Sequence, residues 1–430
     1  MFRNNDDLLN EIRARFHHVE RCPYQGPRIF LENAGGALTL KSVVARASEL
    51  AAIPDNQGRD NPASRELVAI ITQAKADIRT FLGAAKGPVF VGESGTELLF
   101  RLISAAVLGA EAGGNVVGST LEHPASVSAC VRWSKIANRP YIQVPHNATT
   151  GTVTAEDYRP FVTKDTRVAT ILHTSPVTGM AVKVAEIAKL IREISPNCFI
   201  IVDGIQHAAH GQLDIDAYDI DGYVISPYKV FSRHGYGIAW VSERMGALPH
   251  DRLIGAAADQ WELGTRDTAA YATFSEVVNY FEWLGGHFTA SDDRRQRIVA
   301  AGAAIHKHEK DLSDALLFGV AGLPGLADMP EVTIIGGVDN PLREGLVALT
   351  VAGWSAEELV AALRERGIRV HARKNDHFSG NILQPLKLEG CVRVSLCHYN
   401  SEQEMATFLR ALSAIIAGQD AAAQAAQAVG

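Results

Sequence analysis

Positive charge is scarce in this chain: 41 Lys and Arg against 48 Asp and Glu leave a formal net charge of −7. With no block of basic residues anywhere, that balance excludes the polyanion-binding surface that nucleic acids require. No apolar run approaches the roughly 18 residues of a membrane-spanning helix. The opening MFRNNDDLLNEIRARF is polar and amphipathic rather than a secretory leader. The five cysteines (Cys22, Cys130, Cys198, Cys391, Cys397) are scattered, without metal-ligand or disulfide-framework spacing, so no metal is expected. A Walker Gly-Lys-Ser/Thr and a GxGxxG fingerprint are both missing, which disfavours a nucleotide-dependent Rossmann enzyme. The remaining class is a cytoplasmic, enzyme-sized chain of at least two domains, with 47% hydrophobic and 21% charged residues.

What is there is organised around Phe199 to Trp240. The apolar run Phe199-Ile200-Ile201-Val202 stops at Asp203, and Gly222-Tyr223-Val224-Ile225 leads to Ser226-Pro227-Tyr228-Lys229. Short β-branched runs closed by turn residues are strands buried on both faces. Open α/β sheets bind ligands at the C-terminal ends of such strands. An acid at one strand end and a lysine about one strand later match the needs of pyridoxal 5'-phosphate (PLP). The lysine forms a Schiff base, and the carboxylate keeps the pyridine nitrogen protonated. Taken alone, the aspartate reads equally as a helix cap and the lysine as a solvated loop residue.

Strands and helices alternate upstream of this stretch. Strands are expected at 89–91, 115–118, 141–144 and 168–172, and helices at 3–17, 64–83, 98–107 and 183–195. In the first helix Leu8, Leu9, Ile12 and Phe16 share one face. This rhythm predicts an α/β fold with a doubly wound, mostly parallel sheet. Gly92-Glu93-Ser94-Gly95-Thr96-Glu97 joins a strand to a helix, which aims backbone amides at an anion or simply caps the helix. Downstream, a helix at 291–316, strands at 332–336, 346–352, 368–372 and 391–396, and helices at 355–366 and 401–417 suggest a smaller α+β domain. The expected divisions are an N-terminal segment 1–28 packing on the small domain, a large domain 29–290, a small domain 291–417 and a disordered Ala/Gln-rich tail 418–430.

Over roughly residues 29–415 the chain resembles the class V aminotransferases of PLP fold type I, close to the cysteine desulfurase and selenocysteine lyase branch. LENAGG, SGTE, LEHPAS, HTSPVTG, VDGIQ, SPYK, KVFSRHGYGI, ELGT and VRVSLCHYN match its motifs in order. The resemblance implies a seven-stranded, mostly parallel sheet in the large domain and the following roles. Gly95, Thr96, Ser226 and Tyr228 would hold the phosphate, with Thr265 donating a contact across a homodimer interface. His123 would stack on the pyridine ring, Asp203 pair with its nitrogen and Gln206 face its phenolic oxygen. Lys229 would carry the cofactor and shuttle the α-proton, and Arg393 would grip the substrate carboxylate. Asn33, in the LENAGG turn, and Arg266 are further substrate-binding candidates. For Arg266 the ligand would be a second acid group, with a surface ion pair as the competing reading.

The chain departs from the desulfurases where their persulfide-forming cysteine would stand: 373–380 reads RKNDHFSG. Cys391 lies two residues before Arg393, on a strand rather than a mobile loop. The expected activity is therefore on an α-amino acid, by Cβ-eliminating lyase or aminotransferase chemistry rather than persulfide transfer. Epimerisation and a non-catalytic PLP-binding regulator are the alternatives. His207, His210, His371, His377 and His398 lack metal spacing and read as core or surface residues, with His371 and His377 as possible substrate contacts.

Overall fold

The computed structural model describes residues 6–429, with side chains described over 7–418. Seven strands form the larger sheet: β1 Val89–Gly92, β2 Asn115–Ser119, β3 Tyr141–Val144, β4 Thr166–Leu172, β5 Phe199–Asp203, β6 Gly222–Ile225 and β7 Gly237–Val241. Their order is β1-β7-β6-β5-β4-β2-β3. Only β7 runs antiparallel to its neighbours, against β1 and β6. All residues of β1, β2, β6 and β7 are buried, as helix-covered strands must be. Because six strands share a direction, the turns after β1, β2, β4, β5 and β6 open on one edge. Those turns carry Gly95, His123, His173, Asp203 and Lys229 respectively.

The smaller sheet has four strands, β8 Val332–Ile334, β9 Leu346–Val351, β10 His371–Lys374 and β11 Gly390–Ser395, in the antiparallel order β8-β9-β11-β10. One face packs on the helices Ala356–Glu365 and Glu402–Val429 through Val347, Leu349, Val392, Val394, Leu359 and Phe408. The other face looks toward the larger sheet's open edge. It carries Ala348 and Cys391 in a small apolar cluster with Ala34 and Leu383.

Several boundaries differ from those expected. The strand placed at 368–372 is two pieces: Ile368–Arg369 pairs in parallel with Ile29–Phe30, and β10 begins at His371. The helix Thr268–Gly285 carries no usable amphipathic period, because thirteen of its residues are buried among the helices Lys41–Ala51, Pro62–Leu82 and Arg294–Phe318. Helix Arg294–Phe318 starts in the larger core through Ile298 and Ile305 and ends in the smaller one through Leu312 and Leu316. It is thus shared by the two units we propose. The N-terminal helix Asp6–Ala14 and the turn after it send Leu8, Ile12 and Phe16 into the larger core, with Leu9 half-buried. Toward the C-terminal part they reach through Arg13, which donates to the Tyr399 carbonyl at 2.8 Å and pairs with Glu404, and through Phe16, whose ring lies 4.8 Å from that of Tyr399. The backbone of the last helix continues to Val429 across the stretch read as a disordered tail; Gly430 lies outside the described residues.

Candidate active site

Asp203 closes β5 and is 3% exposed. Burial lifts its pKa to about 6, opposed by the hydrogen bond from the Ile205 amide (3.1 Å) and by the charge on Lys229. Among the described residues it has no ion-pair partner, so a cation set against it would restore full ionisation. The residue after it must be glycine, since a Cβ on Gly204 would enter the Tyr223 ring.

Lys229 ends a single 3-10 turn, Pro227–Lys229, that follows β6. Its Nζ donates to Gln206 Oε1 at 3.2 Å. Burial, reinforced by the positive field of Arg393 and Arg373, pulls the amine down to about 7, with Asp203 opposing. A substantial neutral fraction near pH 7 is what a Schiff-base lysine requires. His123 caps the helix Pro124–Ile136, its Nδ1 accepting from the Ala125 amide at 3.2 Å. Burial, with Lys229 and Arg373 nearby, holds its pKa at about 4, so it offers a flat neutral ring. Beside it Glu122 is buried and raised to about 8 by burial and the Asp203 charge. Its Oε1 accepts from the Leu172 amide at 2.9 Å, tying the end of β4 to the His123 turn.

Helix Gly95–Gly109 points its N-terminus into the same cleft, with Ser94 as cap. A Cβ at Gly95 would strike Ser226 Oγ and Ile205, so glycine keeps an open cradle between a helix start and a hydroxyl, as phosphate binding demands. Thr96 is exposed on the first turn and Ser226 is 4% exposed. Gly95→Ala should weaken PLP binding about tenfold or more, the scale of a one-methyl overpacking penalty. Fluorescence titration of the apoprotein checks this.

Tyr228 stacks on His234 with ring centroids 4.4 Å apart and lies against Gly36. Gly264 and Thr265 form an exposed turn. Arg266 is tied to Glu93 in an ion pair, which favours its surface reading over a substrate contact. Asn33 is likewise occupied. It donates to the Ser395 carbonyl (2.8 Å) and Asn400 Oδ1 (3.2 Å) and accepts from the Tyr399 hydroxyl, so it pins the LENAGG turn to β11 instead of offering a group to substrate.

Arg393 is 2% exposed, and Gly35 leaves room beside its Nη2. Nη1 donates to the Pro176 carbonyl at 2.9 Å, while Nε is buried without a partner. Register places Arg373 opposite Cys391 and His371 opposite Arg393, so all four share the face toward the cleft. Arg373 was not singled out by sequence. Its only signal is its spacing of two from His371 on a short strand. The loop anchors it, Nε donating to Ser379 Oγ (2.7 Å) and Nη2 to the Phe378 carbonyl (3.1 Å). Among the described residues neither guanidinium forms an ion pair, and burial and mutual repulsion bring Arg393 down to about 10. Two cations without an ion-pair partner on one face, Arg393 buried and Arg373 half-buried, suit an anion. His371 pairs instead with Glu32 at 3.1 Å, and His377 lines an outer cleft with Asn381.

The comparisons with known proteins agree with this geometry. The family model for aminotransferase class-V matches residues 29–408. The chain belongs to the class V aminotransferases. Among its class V relatives, the aminotransferase-like protein FGM3 of Gibberella zeae is 25% identical, over 95% of this chain and 98% of its own. The cysteine desulfurase-like protein ustD of Aspergillus flavus is 26% identical, over 91% and 88%. For the fold, the apo cysteine desulfurase of Thermococcus onnurineus superposes with a TM-score of 0.80 at 18% identity, over 95% of this chain and 98% of its own. The cysteine desulfurase CsdA of Escherichia coli gives 0.76 at 20%. This class V aminotransferase is therefore a fold-type-I, PLP-dependent enzyme. Its residues fit the cofactor: a glycine cradle at a helix start, a buried carboxylate lacking a cation, and a lysine with a depressed pKa.

Proposed function

We propose that this enzyme cleaves a bond at the β-carbon of an α-amino acid, without passing sulfur to a thiol of its own. Bound PLP supplies an electron sink for negative charge formed at the α-carbon. Lys229 would hold the cofactor and move the α-proton, Asp203 would face the pyridine nitrogen, and His123 would cover the ring. Gly95, Thr96, Ser226 and Tyr228 would surround the phosphate, with Thr265 supplied by a second copy of the chain. The exposure of the Gly264-Thr265 turn supports that homodimeric arrangement. Five free thiols suit a reducing, cytoplasmic setting.

One observation carries the proposal. Cys391, the cysteine on the Arg393 face, is 1% exposed and its thiol is pushed up to about 12 by burial, so it holds no thiolate at neutral pH. The loop at 373–380 contains no cysteine. Cys391→Ala should retain at least half of wild-type turnover; a loss beyond about 100-fold, the lower end for one lost acid–base group, would overturn the reading. Transamination remains the second branch and would convert the bound cofactor stoichiometrically to its amine form.

The Arg373–Arg393 pair favours a substrate with a second anionic group beside its α-carboxylate. Arg373→Met should raise KM about 10- to 100-fold for amino acids with an anionic side chain, the worth of one charged hydrogen-bond pair. Neutral amino acids should change far less. Equal loss for both would assign both arginines to the α-carboxylate.

A further inference from the structure

The orientation of Gln206 is dictated from outside the cofactor cleft. The side chain is 4% exposed and lies between two nitrogens: Lys229 Nζ, 3.2 Å from Oε1, and His210 Nε2, 3.3 Å from Nε2. An amide nitrogen donates and does not accept, so the second contact is a hydrogen bond only when His210 Nε2 carries no proton. The proton then sits on Nδ1, which donates to Glu309 Oε2 at 2.8 Å. His210 and Glu309 are 5% and 1% exposed, so no solvent competes for either ring nitrogen. Glu309 belongs to the helix Arg294–Phe318, and Gly345 packs where a Cβ would touch both Glu309 Oε2 and His210 Nδ1.

We propose that His210, held by Glu309, is a positioning residue that selects which end of the Gln206 amide faces the Lys229 nitrogen. With Nε2 bare, the amide oxygen faces Nζ and supports a protonated nitrogen there. With Nε2 protonated, the ring would take the amide oxygen and turn the N–H groups toward Nζ, supporting the neutral form. The charged and titratable groups around the His210 ring are Glu309, Glu344, Lys229 and His398, and the His306 ring lies 3.3 Å from the His210 carbonyl. Burial alone would strip His210 of charge, but the carboxylates outweigh it and raise its pKa. The neighbouring pair His207–Glu344, at 3.0 Å, is spent on Thr174, 2.7 Å from the same carboxylate oxygen. It does not reach Gln206 by hydrogen bond. The proposal rests on Lys229 being the cofactor lysine.

The test is a pH titration of the visible absorption band of PLP-loaded protein, without substrate, for wild type, His210→Ala, His210→Gln, Gln206→Ala and the Gln206→Ala/His210→Ala double variant. His210→Ala should move the midpoint down by about one pH unit, the worth of one hydrogen bond to a charged group. His210→Gln, which offers an amide oxygen to Gln206, should restore it. In the Gln206→Ala background, removing His210 should add nothing. An unmoved midpoint in His210→Ala, or the same shift with and without Gln206, would overturn the proposal. A wild-type protein with no visible band would instead overturn the cofactor-lysine assignment itself.

Discussion

Lys229→Ala lowers turnover by about 10⁴-fold, the upper end for losing a positioned acid–base group, and removes the visible band of the bound cofactor. The effect is large because nothing else can take its place. Among the described residues, no other lysine lines the cleft formed by Asp203, His123 and Arg393. Lys229 is also the amine whose pKa the fold has brought down to about 7. The melting temperature of the apoprotein should not fall, since burying an amine costs free energy that alanine avoids. Steady-state kinetics and a thermal melt check both arms, and full activity in the variant would contradict the assignment.

Asp203→Asn is the second large effect, about 10²- to 10³-fold in kcat, the scale for removing one preorganised electrostatic contact. A carboxylate lifted to about 6 with no cationic partner is costly in the empty site. A pyridinium placed against it would be held protonated and would repay that cost. Asparagine keeps the shape and the hydrogen bond but not the charge, so PLP should still bind while catalysis fails. Asp203→Glu, which restores charge at the wrong length, should recover only part. If Asp203→Asn kept wild-type kcat, the carboxylate would be a structural cap on the Ile205 amide and nothing more.

The larger sheet and the convergence of its turns were legible in sequence because parallel strands buried on both faces are apolar throughout. Phe199–Asp203 and Gly222–Ile225 stand out from their surroundings for that reason. The antiparallel strand Gly237–Val241 was not separable from the glycine-rich run before it, since direction leaves no mark on composition. Helix Thr268–Gly285 was invisible for the opposite reason: it is buried nearly all round, so no polar stripe reveals its period. Residues carried by motifs come together at one edge, Lys229 and Gln206 within hydrogen-bonding distance. Asn33 and Arg266 are instead held by partners within the chain, as a polar side chain next to a site satisfies itself there when it can. Arg373, His210 and Glu309 depend on contacts between segments distant in sequence, such as His210 and Glu309, 99 positions apart, and no local pattern announces them.

The central claim is that Lys229 holds PLP in a site built by Asp203, Gln206 and the Gly95 cradle. The most direct measurement is borohydride reduction of the PLP-loaded protein followed by peptide mapping. Bleaching of the visible band with a single pyridoxyl group on Lys229 is the predicted result. Reduction that labels another lysine, or a protein that forms no visible band with added PLP, would contradict it.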